Sequence, residues 1–249
     1  MPIGLEVDDY VAIITLDNPP LNPWESGWCE TLEDIFDSFE HRNDVRVAII
    51  TGSGDRAFTA GLNRKDPTHD RRRAVRNYHQ AITDCAVPTI GAINGHALGH
   101  GIVISSALDM LIGSENASFG LPEIDTGAAN GGRFFMCLFP LGFTAHAVYT
   151  GERIDAQEAY RLGALLKVVR PDDLMKEAMA LARTIAEKAP ISIRAHKLSL
   201  RWVEEMDAQK GYEFENVYHG RHYMQTPEGR AQAEEARTAF FERRKPKFP

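Results

Sequence analysis

The sequence predicts an α/β fold with a helical C-terminal region, and three observations point to it. Short β-branched apolar segments alternate with helix-length amphipathic segments through the early part of the chain. Those short segments are apolar almost throughout, as expected of strands buried on both faces of a mainly parallel sheet. From Asp155 onward helical periodicity dominates, interrupted by a single short strand.

The elements follow in order. Residues 11–16 are β-rich and stop at the turn cluster Asp17-Asn18-Pro19-Pro20. Residues 25–41 carry Trp28, Leu32, Ile35, Phe36 and Phe39 at helical spacing. A second strand at 45–50 ends in Thr51-Gly52-Ser53-Gly54-Asp55, and a helix follows over 70–86. Residues 88–93 and 109–113 read as third and fourth strands. Beyond them the spacing predicts helices over 155–162, 172–188, 191–206, 211–225 and 228–243, with a strand at 165–169. Asp155 and Asp172 suit N-caps, and Pro190 and Pro227 suit helix starts.

Composition excludes several classes. The 249 residues are 43% hydrophobic and 25% charged, which rules out general disorder and suits one large or two small domains. No apolar run approaches the roughly 20 residues of a membrane span. Glu6, Asp8 and Asp9 argue against a secretory signal at the N-terminus. A net charge of −7 opposes a nucleic-acid coat. Cys29, Cys85 and Cys137 lack metal-ligand or disulfide-frame spacing, so reduced thiols, a cytoplasmic location and no metal site are expected.

Three stretches can carry chemistry. The first is Ile93-Asn94-Gly95-His96-Ala97-Leu98-Gly99-His100-Gly101-Ile102-Val103-Ile104: a buried strand, a Gly-containing turn, and an apolar helix starting near His100. The N–H groups at that helix start suit an anion or a developing oxyanion. The same glycines would equally serve a tight turn and close packing. The second is Ala57-Phe58-Thr59-Ala60-Gly61-Leu62-Asn63-Arg64-Lys65, where a small residue and a glycine before Leu62 let a backbone N–H face a ligand. Two such loops after parallel strands would place two N–H donors on one oxygen. The third is Ala117-Ser118-Phe119-Gly120-Leu121-Pro122-Glu123, with Glu123 in an apolar, turn-rich setting suited to a general acid or base; a solvated loop carboxylate is the plainer reading of one such residue.

Together these stretches resemble the crotonase (enoyl-CoA hydratase/isomerase) superfamily. Further pieces of the resemblance are Asp17-Asn18-Pro19-Pro20-Leu21-Asn22, Thr150-Gly151 with Ala156, Glu158 and Ala159, and the tail Ala239-Phe240-Phe241-Glu242-Arg243-Arg244-Lys245-Pro246. The resemblance implies a crotonase-like spiral of ββα units over 1–190 and a helical region over 191–249 for oligomerisation and as a lid. It implies an acyl-CoA thioester substrate whose carbonyl lies between the backbone N–H groups of Leu62 and His100, beside Ala60, Gly61 and Gly99. It places Lys65, with Arg64, near the CoA adenine and phosphates. It implies a homotrimer or a dimer of trimers, and no cofactor apart from the CoA within the substrate.

The sequence departs from the family pattern in three places. A hydratase of this family carries two glutamates to hold the attacking water; the second matches Glu123, but the first falls on Val103. Val103 cannot accept a proton, so ordinary hydration is unfavoured, whereas one glutamate suffices for the enoyl-CoA isomerase reaction. His100 stands where glycine is usual, and its imidazole either enters the acyl pocket or turns to a hydrogen-bond partner. The stretch Thr126-Gly127-Ala128-Ala129-Asn130-Gly131-Gly132-Arg133 is about two residues shorter than the family loop and lacks its proline, with Asn130 and Arg133 as pocket candidates. A similar loop accompanies family members that open a ring diketone by hydrolysis. Position 131 is Gly, against the dienoyl-CoA isomerase branch, which carries an Asp there. A non-catalytic acyl-CoA binder is the further alternative. RNA binding rests on Arg71-Arg72-Arg73 alone, and the net charge weighs against it.

Overall fold

A computed structural model describes residues 3–25, 27–63 and 72–248. Strand β1 (Ile3–Asp8) returns as β2 (Val11–Leu16) in an antiparallel hairpin. Asp9 and Tyr10 both take positive φ, which matches the twist of a two-residue hairpin. The sequence reading missed β1 because it is an edge strand with most side chains in solvent, so it carries charges in place of an apolar run.

Helix α1 (Trp28–Ser38) runs into a 3-10 turn at Phe39–His41 and buries Trp28, Cys29, Leu32 and Phe36. Then a unit repeats. Strand β3 (Val47–Gly52), the short β4 (Ala57–Thr59) and helix α2 (Arg72–Asp84) form one turn; β5 (Thr89–Ile93), β6 (His96–Leu98) and α3 (His100–Ala107) form the next. Strands β7 (Met110–Ser114) and β8 (Ser118–Gly120) begin a third. The first strand of each unit enters one sheet and the second enters another. With β9 (Ile154–Asp155) and β10 (Lys167–Val169), the sheets read β1-β2-β3-β5-β7-β10 and β4-β6-β8-β9. This is the expected ββα spiral. The three-residue strands of the smaller sheet look like loops and turns in the sequence, because at that length no periodicity develops.

The near-continuous apolar character of the long strands has its cause in two covering layers. Val11, Val47, Ile49, Ile90, Ala92 and Ile112 pack against Leu174, Ala178, Ala182 and Ala186 of α7 (Leu174–Ala186). The opposite faces, through Ala12, Ile14, Ala48 and Ile50, join the main core with α1 and α2. The predicted cap at Asp172 shifts by one residue: Pro171–Asp173 is a 3-10 turn, and Asp173 is the N-cap of α7. Asp155 does cap α6 (Ala156–Arg161), accepting from Glu158 N at 2.9 Å.

Helices α4 (Gly132–Leu138) and α5 (Leu141–Thr150) come between β8 and β9 in the chain and were not resolved from sequence. The tail is α8 (Pro190–Val203), α9 (Ala208–His219), a π-helical turn at Gly220–Met224, and α10 (Pro227–Glu242). Pro190 and Pro227 open their helices as predicted. Helix α8 is bound to the core through a buried cation: Lys197 Nζ lies 2.9 Å from Asp109 Oδ1, and Arg201 donates to the Ala107 carbonyl at 2.7 Å. Among the described residues no helix is long and apolar enough to cross a membrane.

Candidate active site

Two loops leave the first two ββα units and converge. The first follows β4. Buried Asn22 pins its base, its amide donating to the carbonyls of Ser53 and Ala57 at 3.0 and 2.8 Å. Asn94 repeats the device from the second unit, donating to Gly54 and Ala57 and accepting from Gly52 N. These two side chains satisfy carbonyls and an amide that the change of sheet leaves outside the ladders. They account for the Asn22 and Asn94 motifs seen in the sequence.

Beyond β4, Ala60 N donates to Leu21 O at 2.9 Å, and Gly61 takes φ +87°. The main chain then zips onto Trp24: Trp24 N donates to Gly61 O at 2.8 Å, and Asn63 N donates to Trp24 O at 3.0 Å. Leu62 lies in a parallel bridge with Trp24, its side chain half exposed. Glu25 Oε1 adds a clamp, accepting from Asn63 Nδ2 at 2.9 Å and Asn18 Nδ2 at 3.2 Å.

The second loop follows β6. Gly99 adopts φ +54°, ψ −106°, a conformation costly for any residue with a β-carbon, and opens α3 at His100. Ile102 N and Val103 N return to Gly99 O, so the His100 N–H is the first of the helix and has no acceptor within it. The helix is short but wholly buried, which strengthens its end field.

The two glycines face one another, since a β-carbon on Gly99 would lie 3.4 Å from the Gly61 Cα. Glu123 reaches the same place. It sits in the 3-10 turn Pro122–Thr126 directly after β8, partly buried, with Oε2 closed to solvent. A β-carbon on Gly61 would meet its Oε1 at 3.8 Å, and one on Gly99 would overlap that oxygen. The structure thus gathers Gly61, Leu62, Gly99, His100 and Glu123 from three loops at the ends of three parallel strands. A carboxylate beside two backbone-lined loops can exchange a proton with a carbon acid held there.

The His100 imidazole turns to partners. Its ring stacks on the Trp24 indole at 4.6 Å and 10°, and its Nδ1 lies 2.9 Å from the Tyr78 hydroxyl. Tyr78 is fully buried, and burial raises its pKa well above the ordinary 10, so the hydroxyl keeps its proton. Trp24 and Tyr78 were not identified from sequence. Trp24 follows a turn, outside any periodic run, and Tyr78 reads as an ordinary core position of α2.

Val103 is buried in the main core, one turn into α3. Asn130 is exposed on the loop before α4, and Arg133 bonds Cys137 Sγ within α4 at 3.1 Å. Arg64, Lys65 and Arg71 lie outside the described residues. His96 bonds Ser118 Oγ at 2.8 Å, tying β6 to β8. A group of metal-ligand type, His196, Glu215 and His219, lies in the tail, with its ligand atoms within 4.8 Å of one another. Buried Ser199 already bonds both Glu215 and His219, at 3.1 and 2.9 Å, so the group acts as a tether between α8 and α9.

Known proteins agree with this architecture over the full length. The family model described as enoyl-CoA hydratase/isomerase matches residues 6–249. The (E)-benzylidenesuccinyl-CoA hydratase of Thauera aromatica is 33% identical, with 100% of this chain and 99% of that protein aligned. The carnitinyl-CoA dehydratase of Salmonella typhimurium is 34% identical over 94% of this chain and 92% of its own length. Among solved structures, an enoyl-CoA hydratase from Bacillus anthracis superposes with a TM-score of 0.89 at 29% identity, covering 100% of this chain and 99% of that one. Pseudomonas aeruginosa DspI superposes with a TM-score of 0.88 at 26% identity, over 100% and 97%. With its spiral of ββα units and a match spanning nearly every residue, the chain belongs to the enoyl-CoA hydratase/isomerase family of the crotonase superfamily.

Proposed function

We propose that the protein acts on an acyl-CoA thioester through an enolate, with Glu123 as the single acid/base group. The thioester carbonyl accepts from the amides of Leu62 and His100. Glu123 removes a proton from the α- or γ-carbon, negative charge moves onto the oxygen, and the same carboxyl group returns the proton to the other carbon. Two preorganised N–H donors contribute several kcal/mol to such an enolate in a dry site. CoA-thioester hydratases and dehydratases among the relatives support the substrate class. Arg64 and Lys65 are assigned to the CoA phosphates and adenine, and proton transfer of this kind needs no metal or redox cofactor.

The observation that carries the reading is the convergence of Glu123 Oε1 on the facing glycines 61 and 99. Buried Val103 favours proton transfer between carbons over addition of water, because nothing at that position orients a water molecule. The exposed aromatic side chains Trp202, Tyr212, Phe240 and Phe241 of the tail support assembly into a homotrimer or a dimer of trimers.

The test is deuterium uptake at the α-carbon of acyl-CoAs in heavy water, run for the parent and Glu123→Gln. A panel of trans-2-enoyl-, 3-enoyl- and cyclic β-keto acyl-CoAs identifies the acyl group. Uptake is expected to fall at least about 100-fold in the variant. Equal uptake in both would remove Glu123 from the mechanism.

A further inference from the structure

We propose that Trp24 is a positioning residue that sets the separation of the two amide donors; this rests on the enolate reading above. Trp24 touches both loops, the first through its main chain and the second through its ring. Its main chain holds the first through the bonds to Gly61 O and from Asn63 N, on either side of Leu62. Its indole holds the second by stacking on the His100 ring at 4.6 Å. The side chain is fully buried, and it also packs on Tyr78 at 5.2 Å and Trp28 at 5.3 Å. Its Nε1 has no acceptor among the described residues, so stacking and the main-chain bonds locate it, with no side-chain hydrogen bond.

The geometry has a mechanical consequence. Leu62 and His100 belong to different ββα units, and no backbone hydrogen bond among the described residues joins the Leu62 segment directly to the start of α3. Their facing glycines lack β-carbons that would interlock. A carbonyl oxygen held by two donors tolerates errors of a few tenths of an ångström before one bond weakens. The indole spans that gap as a flat, rigid spacer. Tyr78 closes the stack from α2 and fixes the rotation of the imidazole through Nδ1. His100 and Trp24 therefore work as a pair, and the imidazole serves as a handle on its own amide.

The test uses acetyl-CoA, labelled with carbon-13 at the thioester carbonyl, as an infrared probe. In the parent the carbonyl band moves to lower frequency on binding. Trp24→Leu is expected to lose more than half of that movement and to lower kcat about 10- to 100-fold, with KM within about threefold. Trp24→Phe, which can still stack, restores most of both. Because Trp24→Leu can fail to fold, His100→Ala tests the stack from the other side: the amide remains, and the band movement is again reduced. Combined in one chain, the two changes lose no more than the larger single loss. A full band movement in folded Trp24→Leu or in His100→Ala overturns the proposal. An absent movement in the parent overturns the enolate reading itself, and the two failures are thereby distinct.

Discussion

Glu123 Oε1 occupies the space that a β-carbon would take at Gly99. One residue thus serves two ends: its backbone takes a conformation only glycine adopts readily, and its missing side chain admits the carboxylate to the mouth of α3. The equivalent contact at Gly61 is looser, at 3.8 Å.

Gly99→Ala is therefore expected to be the more damaging of two matched substitutions. Turnover should fall by about 100-fold or more as the methyl group displaces Glu123, with about 1–2 kcal/mol of destabilisation from backbone strain. Gly61→Ala also has a strained φ, but its methyl group would sit 3.4 Å from Leu98 O and clear of Glu123. Its stability loss should be similar and its loss of turnover smaller. Turnover assays paired with urea unfolding decide the order; equal turnover losses would contradict the steric argument.

Val103→Glu places a second carboxyl group one turn from the helix start. Its burial costs about 2–4 kcal/mol and raises the new group's pKa. The ratio of hydration to double-bond migration on a trans-2-enoyl-CoA should rise in the variant. Product ratios measured by chromatography check this, and an unchanged ratio would show that residue 103 does not decide the reaction.

Lys197→Met should destabilise the fold by about 2–3 kcal/mol. The Lys197 side chain is 1% exposed, and its loss leaves Asp109 with Arg201, at 3.7 Å, as its one cationic neighbour among the described residues. The amide and hydroxyl of Thr89 still serve Asp109 Oδ2, which moderates the loss. Lys245→Ala removes an ion pair between exposed side chains and should leave the unfolding midpoint unchanged. Denaturant midpoints for the two variants provide the comparison.

Acid stability should report on His79. Burial, with Arg201 nearby, lowers its pKa from 6.5 to about 4. The folded state therefore keeps the ring neutral where the unfolded chain binds a proton. Stability is full above about pH 6.5, falls as pH drops through the window, and levels off below about 4. After allowance for partial exposure the expected loss is about 1–2 kcal/mol. His79→Gln should flatten the curve in that window, measured by urea unfolding at pH 7, 5.5 and 4. Parallel curves for parent and variant would remove His79 as the cause.

Runs with enough residues to show a period were legible. The strands around 11–16, 45–50 and 88–93 and the helices of the tail are long enough for burial on one or two faces to leave its imprint on the residue pattern. The motif pieces around Leu62, Gly99 and Glu123 were legible for another reason: each is a short stretch whose backbone must take a special shape, so its glycines and prolines stand out. The sequence by itself also determined that residue 103 is valine and residue 123 a glutamate.

Only the tertiary structure decided what those residues meet. The smaller sheet is built from two- and three-residue strands whose pairing is non-local, so nothing in the local pattern announces it. The overlap of Glu123 with Gly99 joins loops of two units, and the stack of Trp24 on His100 joins residues 76 positions apart in number, counted as 100 less 24. A sequence records the preference of each segment for a shape. The distance between segments is set by how the whole spiral closes around its core, and a proton transfer depends on that distance.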